Sequence, residues 1–384
     1  MLIELLLVIS LLLIVYNILI YPLLMYTLAL IAKKPAQQLA DLPETLPFVS
    51  IVIAAYNEEK VIAAKIENTL LLDYPKDSLE ILIVSDGSDD DTPNIVESFK
   101  ERGVIGLHKN SREGKSAAIN RALQNIRGEI IVFSDANNDF SRNAIMALVK
   151  HFTDPEIGAV TGAKHIYASD DRESATGDGL YWKYESMIKK AESDLGSITA
   201  AEGEVLAVRR NLMKPINPHY INDDAAITFD LVKRGYRVLY EGNALSTEQA
   251  SGDLVDDFNV KVRMTAGGYQ TICNEFRFLF PPFSWFAFTF FSHKILRWIT
   301  PVLMLLVFSL NLLLLDQAIF QLLLGIQILF YGLSYSGWCI RSRSRIPALL
   351  YIPMYFSFMN LALFFGLIAF LKRSQGVKWK KATR

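Results

Sequence analysis

The two ends of the chain constrain its fold most, because both are apolar over lengths that can cross a lipid bilayer. Residues 2–31 are almost wholly apolar, and Lys33 and Lys34 follow at once. At 1.5 Å per residue, a helix of this length spans a hydrocarbon core about 30 Å thick. A cleaved signal peptide would carry its positive charge before a shorter apolar run. We therefore predict a retained transmembrane helix at residues 1–32, with its C-terminal end in the cytoplasm because lysines favour that side.

The C-terminal part of the chain is also apolar. We predict three transmembrane helices within residues 299–371, at 299–315, 318–340 and 346–371. The preceding residues 276–298 are rich in aromatic side chains and contain two prolines. Such a segment suits the lipid headgroup region, so we predict an interfacial segment there and a basic tail at 372–384. The alternative, a short fifth span at 276–298, would place that tail on the other side of the membrane.

Composition excludes several classes of protein. The formal net charge of −1 gives no indication of a nucleic-acid partner. The hydrophobic content of 51% exceeds the usual range of soluble proteins, and the excess lies at the two ends. Cys273 and Cys339 are too few for a disulfide scaffold or a zinc site, and we interpret both as packing residues.

Residues 47–275 between the apolar ends have the pattern of one globular domain, preceded by a linker at 33–46. Apolar runs of strand length alternate with amphipathic runs of helix length. The predicted strands are 49–54, 80–85, 104–108 and 129–134, and the predicted helices are 58–71, 92–102 and 115–126. This succession predicts an α/β domain, whose right-handed crossovers form a mostly parallel sheet covered on both faces.

Acidic and carboxamide side chains follow three of these strands directly. The first strand runs into AYNEE, the second into SDGSDDDT and the fourth into SDANNDF. Ligands of parallel sheets bind outside the carboxyl ends of the strands, so we expect the three clusters to meet at one edge. Gly114 and Lys115 begin a helix whose free N–H groups favour an anion. Each feature alone has a simpler explanation, since one aspartate of 89–91 could cap a helix and Gly114 could belong to an ordinary turn.

Four motifs occur in order: VSIVIAAYNEE, IVSDGSDDDT, GKSAAINRA and FSDANNDF. Together they resemble the start of the family 2 inverting glycosyltransferases, whose GT-A fold is a Rossmann-like domain that binds nucleotide-sugars. The resemblance covers residues 47–268. It implies a GT-A domain on the cytoplasmic side of a bacterial inner membrane. It also implies transfer of a sugar, most naturally from a UDP-sugar, to a lipid-linked or saccharide acceptor in cell-surface polysaccharide or glycolipid synthesis. A guanosine donor stays open.

The same resemblance assigns donor-site residues. The positions expected at the nucleobase and ribose are Ala55, Tyr56, Glu58 and Asp86. Lys115 and Arg263 correspond to residues that contact the diphosphate. Charge-assisted hydrogen bonds from these two side chains suit phosphate oxygens.

The Asp-x-Asp motif of the family here consists of Asp135, Ala136 and Asn137. It implies a Mg²⁺ or Mn²⁺ ion that neutralises the leaving diphosphate, since both ions take oxygen ligands. Asn137 stands where the family has an aspartate, so the ion should be held more weakly, or partly by Asp139. From the sequence alone, replacing Asn137 by aspartate is expected to keep activity and strengthen the metal requirement.

An acidic pair, Asp223 and Asp224, opens the helical sequence DDAAITFDLVKRGYRV. The number of residues between this pair and Gly-Tyr-Arg-Val resembles the family pattern. The resemblance implies that Asp224 is the catalytic base and Asp223 its acidic neighbour. Two adjacent carboxylates could raise one pKa and favour proton uptake. Helix capping is the simpler alternative for the pair. Upstream, Gly203 and Glu204 in AAEGEVLAVRR match the stretch that lines the acceptor side.

One motif departs from the family's polysaccharide synthases. Where these carry Gln-x-x-Arg-Trp, this chain has Val260, Arg263 and Met264, so only the arginine is kept. The missing aromatic platform favours single-sugar transfer over a processive synthase that extrudes its product, which stays an alternative. A non-catalytic, membrane-anchored nucleotide-sugar-binding protein is a second alternative, and it would need neither Arg263 nor Asp224.

Overall fold

The computed structural model describes residues 1–32, 45–167, 174–249, 254–280, 284–341 and 346–374. Within these residues the polar middle of the chain forms an eight-stranded sheet. Its strands are β1 (Val49–Ala55), β2 (Leu79–Asp86), β3 (Val104–Lys109), β4 (Ile130–Asp135), β5 (Asn138–Phe140), β6 (Ile157–Tyr167), β7 (Leu206–Arg209) and β8 (Arg237–Gln249). They lie in the order β3-β2-β1-β4-β7-β6-β8-β5.

The four strands predicted from the sequence form the parallel half of this sheet. β1 pairs in parallel with β2 and with β4, and β2 pairs in parallel with β3. Ala54 is in register with both Val84 and Asp135, so the carboxyl ends of these three strands coincide. The other half is mixed, with β7 antiparallel to β4 and β6, and β6 parallel to β8. The predicted α/β class is confirmed.

Helices cover both faces of the sheet. Those of the domain are α3 (Ile62–Leu70), α4 (Thr92–Ser98), α5 (Lys115–Leu123), α6 (Ala144–Val149), α7 (Ser174–Leu195), α8 (Asp223–Lys233) and α9 (Leu254–Asn274). Successive side chains of a strand point to opposite faces. Ile51 of β1 accordingly shares a buried cluster with Ile66 of α3, whereas Val52 shares another with Ile119 of α5. The continuous apolar run of β1 is therefore that of a strand buried on both faces.

The described residues contain four helical segments long and apolar enough to cross a membrane: Leu2–Ile31, Trp285–Leu312, Ala318–Cys339 and Ala348–Leu371. The first comprises α1 (Leu2–Val15) and α2 (Tyr21–Ile31), and the second comprises α11 (Trp285–Phe290) and α12 (Leu296–Leu312). A π-helical turn joins the two helices in each case. The last two are α13 and α14. The predicted architecture, a domain flanked by helices of membrane-spanning length, is confirmed.

Several helices are shorter than the sequence predicted, but the largest difference lies in the second apolar segment. The span predicted to begin at residue 299 begins at Trp285, so the aromatic residues from 285 onward belong to it. A short helix, α10 (Phe276–Leu279), precedes it. An interfacial position for residues 276–298 stays a prediction. Most of the predicted linker at 33–46 and of the basic tail at 372–384 lies outside the described residues. Both cysteines are exposed, so their interpretation as packing residues is wrong.

Buried polar contacts connect the domain to the long apolar helices. Glu192 of α7 is fully buried and accepts a hydrogen bond from the Tyr21 hydroxyl (2.8 Å) and pairs with His293 Nδ1 (2.7 Å). Its second oxygen accepts from the N–H and the hydroxyl of Thr199, each at 3.0 Å. Because Tyr21 and His293 lie on different apolar helices, Glu192 joins both of them to the domain.

Candidate active site

Hydrogen bonds connect the loop after β1 to the loop after β2. The Asn57 carboxamide donates to Asp89 Oδ1 (2.6 Å) and accepts from the Asp89 N–H (3.0 Å). The N–H of Glu58 donates to Thr92 Oγ1 (2.8 Å). Asp90 Oδ1 accepts from the Thr92 N–H (3.0 Å), the first N–H of α4, whereas Asp91 at the N-cap position makes no side-chain capping bond. The acidic run after β2 therefore serves partly to hold two loops at one edge of the sheet.

Asp86, at the end of β2, orders the loop that precedes α5. It is buried, and its Oδ2 accepts hydrogen bonds from the N–H groups of Glu113 (2.9 Å) and Gly114 (2.7 Å). Its Oδ1 accepts from the Arg121 guanidinium (2.9 Å). Gly114 has φ of 102°, a conformation that side chains with a Cβ rarely adopt. Asp86 thus shapes the turn into α5, a role that the sequence did not indicate.

A small, open cleft lies at this edge. Four of the predicted donor-site residues line it: Ala55, Tyr56, Asp86 and Lys115. Arg112 also lines it, with the carbon of its guanidinium 3.7 Å from the centre of the Tyr56 ring, a cation–π contact. The sequence analysis missed Arg112, whose only local signal is its place between two clustered motifs. Three of the four predicted nucleobase and ribose residues therefore meet at one cleft, whereas Glu58 is not among the residues that line it.

Lys115 links this cleft to two acidic clusters. Its Nζ lies 2.6 Å from Asp135 Oδ1 and 3.9 Å from Asp223 Oδ2. Burial opposes its charge, but the carboxylates of Asp135 and Asp223 outweigh burial and raise the pKa of Lys115. In turn, burial would raise the pKa of Asp135, yet Lys115 and other lysines hold it below its usual value. The Asp-x-Asp region and the acidic pair therefore belong to one site.

Asp224 has the electrostatic setting of a proton acceptor. It lies in the first turn of α8, and its Oδ1 accepts from the Ala225 N–H (2.7 Å). Burial first, and the neighbouring Asp223 second, raise the pKa of Asp224 to about 7. A general base is most effective when its pKa lies near the working pH. The hydrogen bond from the Ala225 N–H engages one oxygen of Asp224 and by itself would lower its pKa, so it does not account for the raised value.

The predicted acceptor-side residues lie beside Asp224 and in the buried interior. A Cβ added to Gly203 would lie 3.3 Å from the Cβ of Asp224, so the Gly203 backbone borders the acidic pair. Glu204 is buried, pairs with Lys164 (2.6 Å) and accepts from the Ser246 hydroxyl (3.0 Å). Burial raises the pKa of Glu204. Its side chain is therefore part of an internal polar network.

Asn137 is held by a residue that no motif identified. Its Nδ2 donates to Glu248 Oε1 of β8 (2.7 Å), across 111 positions of sequence. In the described residues, no three His, Cys, Asp or Glu side chains are grouped so as to hold a metal ion. Mg²⁺ is often bound by one or two protein oxygens together with substrate phosphates. The carboxylate of Asp135 and the carboxamide oxygen of Asn137 fit that donor set.

Arg263 lies on α9, which runs along the start of α8. Met264, the next residue, accepts a hydrogen bond at its carbonyl from Asn222 Nδ2 (3.0 Å). A Cβ added to Gly267 would lie 2.5 Å from Asn222 Oδ1, so α9 and the residue before the acidic pair are in close contact. Arg263 is thus placed on the helix that borders the N-terminus of α8.

The parallel strand ends, the cleft and the two linked acidic clusters define a domain of the kind that binds and transfers nucleotide-activated groups. Residues 50–214 match the model of Glycosyl transferase family 2. Over these residues the chain matches the family 2 glycosyltransferases, and its fold is that of a GT-A mannosyltransferase.

Curated relatives include two named synthases. The chain is similar to beta-monoglucosyldiacylglycerol synthase of Trichormus variabilis, with 31% identity over 250 residues, or 63% of this chain and 53% of the relative. It is also similar to poly-beta-1,6-N-acetyl-D-glucosamine synthase of Staphylococcus aureus, with 26% identity over 241 residues, or 61% of this chain and 57% of the relative. The chain thus spans just over half the length of these relatives.

A solved structure shares the fold over nearly the whole chain. It is the mannosyltransferase PcManGT from Pyrobaculum calidifontis in complex with GDP-Man and Mn²⁺, with a TM-score of 0.74 and 21% identity. The alignment covers 96% of this chain and 100% of that one, so the likeness extends to the apolar helices as well as the domain.

Proposed function

We propose that this protein is a membrane-bound, metal-dependent, inverting glycosyltransferase. It moves a sugar from a nucleotide-sugar, with a UDP-sugar as the expected donor, to a lipid-linked or saccharide acceptor in cell-surface polysaccharide or glycolipid synthesis. The active site would face the cytoplasm at a bacterial inner membrane. The observation that carries this proposal is the position of Lys115, 2.6 Å from Asp135 and 3.9 Å from Asp223, which joins the diphosphate end of the site to the acidic pair.

In the proposed reaction, an acceptor hydroxyl attacks the anomeric carbon from the face opposite the diphosphate. The new bond joins acceptor oxygen to anomeric carbon, the bond to the diphosphate oxygen breaks, and Asp224 takes the hydroxyl proton. The pKa of about 7 for Asp224 suits this transfer. Lys115 and Arg263 are the cations proposed to stabilise the leaving diphosphate.

A divalent ion fits the same end of the site. When bound, Mg²⁺ or Mn²⁺ would neutralise developing charge on the diphosphate as a Lewis acid. Asp135 and Asn137 would hold it with oxygen ligands. The Mn²⁺ and GDP-Man in the similar mannosyltransferase support both the ion and a nucleotide-sugar donor.

The location of the acidic pair supports a lipid-linked acceptor. The helix α9, which contacts Asn222, packs tightly on α14, since a Cβ added to Gly366 would lie 2.5 Å from the Thr265 Cβ. The acidic pair is therefore one helix away from an apolar helix of spanning length. Similarity to a glucosyldiacylglycerol synthase agrees with a lipid acceptor, and similarity to a poly-N-acetylglucosamine synthase keeps processive synthesis as the alternative.

A donor screen tests the proposal. Purified protein in lipid nanodiscs would be incubated with UDP- and GDP-sugars and with diacylglycerol or polyprenyl phosphate acceptors, with and without Mn²⁺. We expect ion-dependent release of nucleoside diphosphate and one added sugar per acceptor by mass spectrometry. Long products would favour the processive synthase. If the protein bound the donor but released no more nucleoside diphosphate than the Asp224→Asn variant, the result would favour the non-catalytic binding protein.

A further inference from the structure

The carboxamide of Asn137 faces a buried carboxylate. Asn137 Nδ2 lies 2.7 Å from Glu248 Oε1, and the Glu248 side chain is only 8% exposed. Lys164 forms an ion pair with Glu248 and a second one with Glu204 (2.6 Å). Lys164 thus holds Glu248 by Oε2 while Asn137 contacts Oε1, and one ammonium is shared between two carboxylates.

The chemistry of this contact allows one orientation of the carboxamide. An ionised carboxylate can only accept hydrogen bonds, whereas a carboxamide has a donating end and an accepting end. Glu248 therefore selects the NH₂ end of Asn137 and leaves Oδ1 for another partner. An aspartate at position 137 would have no N–H to donate to Glu248, so this hydrogen bond would be lost and two acceptor oxygens would face each other.

We propose that Glu248 is a positioning residue, which presents Asn137 Oδ1 to the divalent ion of the donor diphosphate, and that Asn137 and Glu248 form a matched pair. This inference rests on the proposed function and explains the departure from Asp-x-Asp. The pair keeps one carboxylate and one carboxamide in contact. The Asn137→Asp variant then weakens ion binding, which is the opposite of the expectation from the sequence alone.

A reciprocal exchange tests the pair. In Asn137→Asp/Glu248→Gln the hydrogen bond returns with donor and acceptor exchanged, and the second oxygen of the new carboxylate is available to the ion. We expect Asn137→Asp alone to weaken Mn²⁺ binding about 10-fold or more, the effect typical of a lost partner of a metal ligand. Glu248→Gln should weaken it less, because its carboxamide oxygen can still accept from Asn137 Nδ2. We expect the double variant to bind Mn²⁺ at least as well as the wild type.

Binding would be measured without turnover, from the EPR signal of free Mn²⁺ in the presence of UDP or GDP, and compared with the Mn²⁺ concentration that gives half-maximal transfer. Glu241→Gln is the matched control, because Glu241 is a buried, ion-paired glutamate of the same strand that pairs with Lys150 and His151 away from the site. It should leave Mn²⁺ binding unchanged. Thermal unfolding would confirm that each variant is folded.

Three results would overturn the matched pair: tighter Mn²⁺ binding by the Asn137→Asp single variant, a double variant no better than that single variant, or a double variant that fails to fold. A wild type that binds no Mn²⁺ with either nucleotide would instead contradict the metal dependence in the proposed function. A single variant that unfolds while the double variant folds would support the pair.

Discussion

The pH dependence of transfer should report the pKa of Asp224. Because the base must be ionised to take a proton, kcat/KM should rise as the pH passes through about 7, the pKa that burial and Asp223 produce. With that pKa, about one tenth of the carboxyl groups are ionised at pH 6 and about nine tenths at pH 8, so kcat/KM should rise about tenfold. A carboxyl group at its ordinary pKa of 3.8 would be ionised throughout and would give no rise.

The Asp223→Asn variant sharpens this prediction. It removes the second-largest cause of the raised pKa while burial stays, so the rise in kcat/KM should move to lower pH. Asp230→Asn is the control, since Asp230 lies on the same helix but pairs with Lys214 at the surface. The assay is nucleoside diphosphate release from pH 5.5 to 8.5 at constant ionic strength and saturating ion. A wild-type profile that is flat from pH 6 to 8, or an unshifted profile in Asp223→Asn, would refute the reasoning.

Three further predictions concern single side chains. Asp135→Ala should abolish transfer, by a factor of at least about 100, while circular dichroism stays unchanged; near-normal transfer would remove Asp135 from the diphosphate end. Glu192→Ala should lower the free energy of unfolding by about 3–5 kcal/mol in denaturant titrations, because the buried side chains that contact the carboxylate are left without a partner. Glu192→Gln should lower it by less. Asp224→Asn should raise the thermal midpoint at pH 8 but not near pH 4. The raised pKa of Asp224 favours the folded state below its unfolded value of 3.8, and this contribution is lost as the pH rises through about 7. Equal midpoints at pH 8 would contradict the raised pKa.

The sequence predicted the parallel half of the sheet because its signals are local. Each of the first four strands is a short apolar run, and three of them end in polar clusters that a parallel sheet must bring together. The contact of Lys115 with Asp135 follows from this arrangement, since the helix that begins at Lys115 returns along the sheet. Family resemblance supplied the acidic pair, and the structure places Asp223 within 3.9 Å of Lys115.

The remainder depends on contacts between distant parts of the chain. Glu248 reaches Asn137 across 111 positions, and Glu192 reaches Tyr21 across 171, so neither contact leaves a local pattern. The same holds for the mixed half of the sheet, where β5 pairs with β8 and β4 with β7. Asp86 is a different case, because the sequence motif identified the residue but not its structural role. Its hydrogen bonds to the Gly114 loop depend on a turn geometry that the sequence does not specify.

The central claim is that Asp224 is the base of a glycosyl transfer, and Asp224→Asn tests it most directly. Donor affinity would be measured by calorimetry with the nucleotide-sugar, and transfer by product formation, on the same preparation. We predict unchanged donor affinity and loss of transfer, because the substitution removes the proton acceptor and leaves the cleft at Tyr56 and Asp86 intact. Undiminished transfer by Asp224→Asn would contradict the claim.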